Sequence, residues 1–192
     1  MKNFIRFRVR FIVIMLTIIS SGLYAQKGFD NPTRALFIFD MSKYIDYGES
    51  FKDSSVFRIG IIDEQSELLW EMGNLARTRK TIQDKPVEVV VFRREESIRH
   101  TQVLYVNKAS GFNLSKIKDK IAGHQTMLIT EGYEFREAMI NFVAVDGNPR
   151  FEANEEMIKN AGMSVNQNFL FQAIKTKEDW EKLFVVTDAD LQ

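Results

Sequence analysis

From about residue 32 onward, the hydrophobic residues alternate between helical spacing and short dense runs. Apolar residues three and four positions apart predict a helix over 32–46, with Asn31 as its N-cap and Gly48 as its stop. A β-branched and aromatic run over 56–62 predicts a buried strand, and helical spacing over 65–77 predicts a second helix. The period of the pattern therefore changes twice within 46 residues.

The middle of the chain continues this alternation. A mixed-charge stretch over 93–99 separates two apolar runs and is typical of a solvated loop or short helix. A helix beginning near Leu114, capped by Asn113 or Ser110, ends at Gly123. The predicted strands are 86–92, 102–106, 126–129 and 140–145. Alternating strands and helices favour an α/β fold, a single domain with a partly parallel sheet flanked by helices.

The C-terminal third predicts an antiparallel hairpin followed by helices. Asp146-Gly147 is a hairpin turn signal between the strand at 140–145 and the residues around Phe151. Asn154 is suited to cap a helix that has two glutamates in its first turn and Gly162 just past its end. A further short helix is capped by Ser164, in capping-box spacing with Gln167, or by Asn166.

The N-terminus has the pattern of an export signal. Four basic residues and no acid occupy residues 1–10, an apolar run follows from Phe11 to Ile19, and the small Ala25 suits the position before a cleavage. The apolar run is about half as long as the roughly 20 residues that a membrane-spanning helix needs. We therefore predict a signal peptide over 1–25, an exported mature domain over 26–192, and no direct membrane insertion after cleavage.

Charge and cysteine content narrow the class of partner. The mature chain has 22 basic and 26 acidic residues, a net charge of −4, and the whole chain has no cysteine. Thiol catalysis, thiolate metal sites and disulfides are excluded, and an acidic domain has little electrostatic attraction to nucleic acid. We expect no nucleic-acid partner.

Motifs for catalysis or cofactor binding are weak. The ten glycines form no phosphate-binding loop, and no Gly-x-Ser-x-Gly occurs. The histidines, His100 and His124, lack metal-ligand spacing and are interpreted as ordinary loop residues. We expect that the protein is not an enzyme and binds no metal or cofactor. Aspartates and glutamates are numerous enough to supply a catalytic carboxylate pair, but such a pair is defined by its spatial separation, which the sequence does not give.

Two aromatic residues stand apart from the predicted core. Tyr133 and Phe135 lie in a polar stretch after the strand at 126–129, where loops often carry binding residues. They are candidates for contact with a partner or ligand.

Several segments together resemble the YfiR-like family of exported bacterial proteins. They are, in order, Lys43-Tyr44-Ile45-Asp46-Tyr47, Phe57-Arg58-Ile59-Gly60-Ile61, Val103-Leu104-Tyr105-Val106, Met139-Ile140-Asn141-Phe142-Val143, Arg150-Phe151-Glu152-Ala153-Asn154, Ala161-Gly162-Met163-Ser164-Val165-Asn166 and Phe169-Leu170. The resemblance covers about residues 32–174. The chain departs from it at Tyr47-Gly48, where Trp-Pro is common, at Glu137-Ala138, where Gly-Gly is common, and in lacking the paired cysteines of some members.

The resemblance implies a non-enzymatic periplasmic regulator. Its name-giving member restrains a membrane-bound diguanylate cyclase, part of cyclic-di-GMP signalling, by binding the periplasmic sensor domain. For this chain it implies binding to the outer domain of a membrane signalling protein, a diguanylate cyclase or a histidine kinase, by a protein that also forms a homodimer. The expected contact residues are Phe151, Glu152 and Asn154 with the loop at Tyr133 and Phe135. The alternative is a secreted small-ligand-binding protein or a carboxylate-dependent hydrolase.

Overall fold

A mostly parallel seven-stranded sheet forms the centre of the structure. This computed structural model describes residues 28–62, 66–134, 136–175 and 179. Its strands are β1 (Ile45–Asp46), β2 (Phe57–Ile62), β3 (Thr81–Ile82), β4 (Lys85–Val91), β5 (Val103–Asn107), β6 (Met127–Glu131), β7 (Ile140–Val145), β8 (Asn148–Ala153) and β9 (Ser164–Val165). Its helices are α1 (Asn31–Met41), α2 (Glu49–Lys52), α3 (Ser66–Arg79), α4 (Leu114–Ile121), α5 (Glu155–Asn160) and α6 (Gln167–Leu170).

The strand order of the main sheet is β3-β4-β2-β5-β6-β7-β8. Strands β4, β2, β5, β6 and β7 are parallel, and the outer strands β3 and β8 pair antiparallel with their neighbours. The carboxyl ends of the parallel strands therefore share one edge of the sheet, and their amino ends share the other. The predicted α/β fold with a partly parallel sheet and an antiparallel C-terminal hairpin is confirmed.

The start and end of the first helix differ from the sequence prediction. Asp30 is the N-cap, because its carboxylate accepts a hydrogen bond from the Thr33 amide at 2.8 Å. Asn31 is already helical, and its side chain donates to Glu67 instead. The helix ends at Met41 and continues as a 3₁₀ turn and strand β1, rather than running to 46. Strand pairing of Ile45 with Val165 takes these last residues out of the helix.

The hairpin and the following cap agree with their local sequence. Strand β7 spans the predicted residues, and Asp146 and Gly147 both have positive φ, at 50° and 75°, as a type I′ turn requires. Asn154 caps α5 and Gly162 follows its end with φ 75°. For α6 the cap is Asn166, not Ser164, since Ser164 lies in β9.

The central strands are buried on both faces, as expected for parallel strands covered by helices. Phe57, Ile59, Ile61 and Ile62 of β2 are each at most 1% exposed. At Gly60, between them, an added Cβ would lie 2.7 Å from a Phe92 ring carbon and 2.9 Å from a Leu104 methyl. The glycine in this run therefore allows a close approach of neighbouring side chains.

Along the described residues, no helix is both long and apolar enough to cross a membrane. The predicted signal peptide at 1–25 lies outside the described residues.

Candidate functional site

An aromatic groove opens between α1 and the segment around α6. We define the aromatic groove by Leu36, Tyr44, Phe151 and Phe169, which line a depression of about 300 Å³. The Phe169 ring stacks on Tyr44 with centroids 5.5 Å apart and on Phe151 with centroids 4.7 Å apart. Tyr44 is 48% exposed and Leu36 37%, so the stack that begins in the core reaches the surface.

Backbone pairing between distant segments holds the groove together. The antiparallel pair β1–β9 joins residues 45–46 to residues 164–165, and the Asn166 amide donates to the Tyr44 carbonyl at 2.9 Å. On the other side, the Ile174 amide donates to the Phe151 carbonyl at 3.0 Å. Phe171, between these two anchors, is 87% exposed. A large apolar side chain is thus exposed on the segment that follows α6, although it does not itself line the groove.

Phe151 has the most direct relation to the groove of the predicted contact residues. Its ring is only 5% exposed and belongs to the hydrophobic core. It forms the inner wall of the groove, beneath Phe169. A partner would therefore contact Phe151 mainly through the depression, and most of the accessible aromatic surface belongs to Tyr44.

Glu152 lies in a buried polar network centred on Asn141. The Asn141 amide nitrogen donates to the Glu152 carboxylate at 2.7 Å and to the Tyr133 carbonyl at 3.0 Å. The Asn141 oxygen accepts from the Thr130 hydroxyl at 2.9 Å. Glu152 is 4% exposed and Asn141 2%. The network links β8 to the loop after β6, so two of the predicted contact residues, Glu152 and Tyr133, are joined through one side chain.

Tyr133 is half-buried in the loop after β6. Its hydroxyl is buried and has no hydrogen-bond partner among the described residues, and burial raises the pKa of the phenol. The Lys108 ammonium lies 5.7 Å from the ring centre, within cation–π range. Part of the ring remains accessible for contact. The neighbouring candidate Phe135 lies outside the described residues.

Asn154 serves as the N-cap of α5. Its side-chain oxygen accepts a hydrogen bond from the Met157 backbone amide at 3.1 Å, which is the bond that the capping interpretation predicts. Its backbone amide donates to the Met139 carbonyl at 2.8 Å. The structure therefore gives Asn154 a positioning role for α5, next to β7 and β8.

The carboxyl edge of the sheet contains an ion pair that the sequence analysis missed. Arg34 of α1 donates to both oxygens of Glu131, from Nε at 2.6 Å and from Nη2 at 2.8 Å. The Tyr105 hydroxyl donates to the same carboxylate at 2.6 Å, and burial, together with the Glu131 charge, raises the pKa of Tyr105. This bidentate pair ties α1 to the ends of β5 and β6. The available signal in the sequence was a carboxylate two residues after the strand predicted over 126–129, because side chains just past the ends of parallel strands share one edge of the sheet.

The two histidines, interpreted from the sequence as ordinary loop residues, come together in space. Their ring centroids are 5.2 Å apart, at the mouth of a cavity of about 800 Å³. Partial burial, His124 and Arg58 lower the pKa of His100. Within the described part of the chain, no group of three or more His, Cys, Asp or Glu residues is arranged to hold a metal ion.

A family model described as YfiR/HmsC-like matches residues 31–173. The chain belongs to this family. The match begins at α1 and ends just after α6, so it includes the main sheet and the aromatic groove. Membership in the YfiR/HmsC-like family fits a periplasmic regulator that acts through protein–protein interaction rather than catalysis. No curated protein matches the chain significantly.

Proposed function

We propose that this protein is a periplasmic, non-enzymatic regulator that binds the outer domain of a membrane-bound signalling protein and restrains its output. The target is a diguanylate cyclase or a histidine kinase. The observation that carries the proposal is the family match over residues 31–173, which extends from the first described helix to the last. Export by a signal peptide cleaved after about Ala25 would deliver the domain to the compartment where such outer domains lie.

The aromatic groove is our proposed contact surface. Exposed aromatic side chains are enriched where protein interfaces gain most of their binding energy. Tyr44 supplies such a side chain in the groove, and Phe171 supplies a second one on the segment that follows α6. The stacked rings of Phe169 and Phe151 give Tyr44 a fixed position. A rigid aromatic residue loses little conformational entropy on binding, which favours its use as a contact.

The five contact residues proposed from the sequence divide into two roles. Tyr133 and Phe151 contribute ring surface, the first from the loop after β6 and the second from inside the groove. Glu152 and Asn154 act by holding that loop and α5 in place, since their polar atoms are committed to internal hydrogen bonds. Phe135 remains a proposed contact next to Tyr133.

Restraint of a sensor requires only a difference in affinity between its two states. A regulator that binds the inactive state more tightly shifts the population toward that state, and a preference of about 3 kcal/mol changes the ratio more than a hundredfold. Binding on the outer side can therefore control an enzymatic domain on the other side of the membrane, without chemistry in the regulator.

Affinity capture tests the proposal. Residues 26–192 are immobilised and exposed to detergent-solubilised envelopes of the source bacterium, with and without cross-linking, and bound proteins are identified by mass spectrometry. We expect enrichment of one membrane signalling protein with an outer domain. Tyr44→Ser and Phe171→Ser should reduce its capture at least about tenfold if these side chains are central to the interface.

Trp70→Ser is the matched control. Trp70 is 63% exposed on α3 and lines a different depression, beside the start of α1, so its replacement removes a comparable aromatic surface away from Tyr44 and the segment around α6. The purified outer domain of the captured protein should then bind the wild type and the Trp70 variant equally. Failure to enrich any membrane signalling protein after cross-linking would refute the regulator proposal. Equal capture by all variants would place the interface outside the groove.

Self-association is a separate part of the proposal. We propose a homodimer, and sedimentation equilibrium of residues 26–192 over a concentration series tests it. A mass equal to that of one chain at every concentration would contradict it.

A further inference from the structure

The cavity below the histidine pair lies at the amino edge of the sheet. His100, His124 and Met139 each precede a neighbouring parallel strand, β5, β6 and β7 respectively. The last turn of α4 and the end of α5 close the sides, through Lys118 and Asn160. The cavity does not share a lining residue with the aromatic groove. It is therefore a second concave feature of the domain.

The inner wall of this cavity is apolar. Ile121, Leu128 and Met139 line it and are each less than 9% exposed, and Met157 adds a partly buried thioether. Its volume of about 800 Å³ lies within the range of sites for small organic molecules, which run from about 300 to 1,000 Å³ and are mostly apolar with a few placed polar groups. Methionine side chains also adapt readily to ligands of different shape.

The mouth of the cavity carries positive charge and hydrogen-bond donors. Lys118 and the two histidines are exposed or half-exposed there, with Gln125 and Asn160 beside them. Arg58 lies close enough to act on the charge of His100. None of the described residues that line the cavity is an aspartate or glutamate. A negative group at the mouth would thus meet the Lys118 ammonium and, when they are protonated, the histidines, without an opposing carboxylate among the described lining residues.

We propose that this cavity binds a small amphipathic anion, a carboxylate, sulfonate or phosphate carried on an aromatic or alkyl body. The apolar body lies against Leu128, Met139 and Met157, and the anionic group lies at Lys118 and the histidine pair. The site is independent of the partner surface, so it can fail without affecting the proposed regulator function.

Binding of such an anion depends on pH through the histidines. In the free protein, partial burial, His124 and Arg58 hold the pKa of His100 below its ordinary value, so the ring is mainly neutral at pH 7. A bound anion favours the protonated ring and raises this pKa. By linkage, affinity for the anion must increase as the pH falls through the pKa of His100. The charged groups that act on His100 are His124 and Arg58, and Lys118 lines the same cavity. Arg58 is already paired with the Glu88 carboxylate at 2.7 Å, so Lys118 and the histidines supply the attraction for the anion.

Two fluorescent probes distinguish the contribution of the anionic group to binding from that of the apolar body. 8-Anilinonaphthalene-1-sulfonate is an aromatic anion, and N-phenyl-1-naphthylamine is the same aromatic framework without the sulfonate. With residues 26–192 we expect one saturable site for the anion, at least about tenfold tighter than for the neutral probe. We also expect binding to tighten about tenfold when the pH is lowered from about 8 to about 5.5, because the bound anion favours the protonated form of His100.

Substitutions at the mouth of the cavity test whether the anionic probe binds there. Lys118→Gln and His124→Gln should each weaken the anion at least about fivefold and leave the neutral probe unchanged. Lys120→Gln is the matched control, because Lys120 has the same charge on the same helix but does not line the cavity. Tyr44→Ser controls for binding in the aromatic groove. His100→Gln combined with His124→Gln should flatten the pH dependence.

Three results would overturn the proposal. The first is equal affinity for the two probes. The second is equal weakening by Lys118→Gln and Lys120→Gln, which would indicate a diffuse charge effect. The third is loss of the fluorescence signal in Tyr44→Ser with none in the Lys118 variant, which would assign the binding to the groove. Circular dichroism melting of every variant establishes that each is folded.

Discussion

The paired charges of Arg34 and Glu131 should contribute strongly to the stability of the domain, because both side chains are largely buried. Their exposed fractions are 13% and 19%, and two hydrogen bonds of 2.6 and 2.8 Å join them. Arg34→Met keeps most of the aliphatic length of the side chain and removes its charge. The carboxylate of Glu131 would then keep the Tyr105 hydroxyl but lose both bonds from the guanidinium.

The expected cost follows from the burial. Removing one partner of a fully buried pair costs about 3–5 kcal/mol, since the other charge is left without compensation. Water reaches roughly a sixth of each side chain here, so we expect Arg34→Met to lower the free energy of unfolding by about 2–4 kcal/mol. Replacing both residues, by Arg34→Met with Glu131→Gln, removes the isolated charge and should recover at least about 1 kcal/mol of that loss.

Urea unfolding followed by circular dichroism measures these values. The single variants and the double variant form a thermodynamic cycle, and the exposed pair of Lys52 and Glu49 provides a control cycle. The control pair should have a coupling energy below about 1 kcal/mol. A loss below about 1 kcal/mol in Arg34→Met, or no recovery in the double variant, would refute the reasoning that burial makes this pair important.

Substitutions at four further positions test the packing and the caps. Gly60→Ala should lower the free energy of unfolding by about 1–3 kcal/mol, because the added Cβ would lie 2.7 Å from the Phe92 ring. Gly73→Ala should raise it by about 0.5–1 kcal/mol in the same urea experiment, because the space around the added Cβ on α3 is open. Asn154→Ala should cost about 1 kcal/mol of stability and Asn154→Ser much less, and equal losses in thermal melts would disprove the capping role. Hydrogen bonds from Thr33 lower the pKa of Asp30 in the folded state below its ordinary value of 3.8. The charged carboxylate therefore stabilises the fold at any pH above the pKa of the unfolded chain. This stabilisation is lost as the pH falls through the lower pKa of the folded state. Asp30→Asn should therefore be less stable than the wild type at neutral pH, and the difference should close in acid; a constant difference would contradict this.

Local sequence rules predicted most elements of the fold because each depends on neighbouring residues. The turn at Asp146-Gly147 and the caps at Asn113 and Asn154 are of this kind, and the structure confirms them. The first N-cap was misplaced by one residue because Asp30 and Asn31 are both capping residues. The choice between them depends on Glu67, which lies in another helix.

The features that sequence reasoning missed depend on contacts between distant residues. Strand β1 exists only because β9 pairs with it, and two-residue strands have no pattern of their own. The Arg34–Glu131 pair and the approach of His100 to His124 likewise depend on sheet order. Of the contact residues proposed from the sequence, Tyr133 is partly exposed, whereas the burial of Phe151 and Glu152 could not be inferred without knowing how β8 is covered.

The aromatic groove takes its residues from both ends of the folded domain. Leu36 and Tyr44 come from the beginning, and Phe151 and Phe169 come from the end. Contacts between residues so far apart in sequence carry the loop-closure cost of the intervening chain. A fragment that ends before Phe151 or begins after Tyr44 would lack one side of the groove. Recognition through this surface would therefore distinguish a chain that has both sides folded together from a fragment that lacks either one.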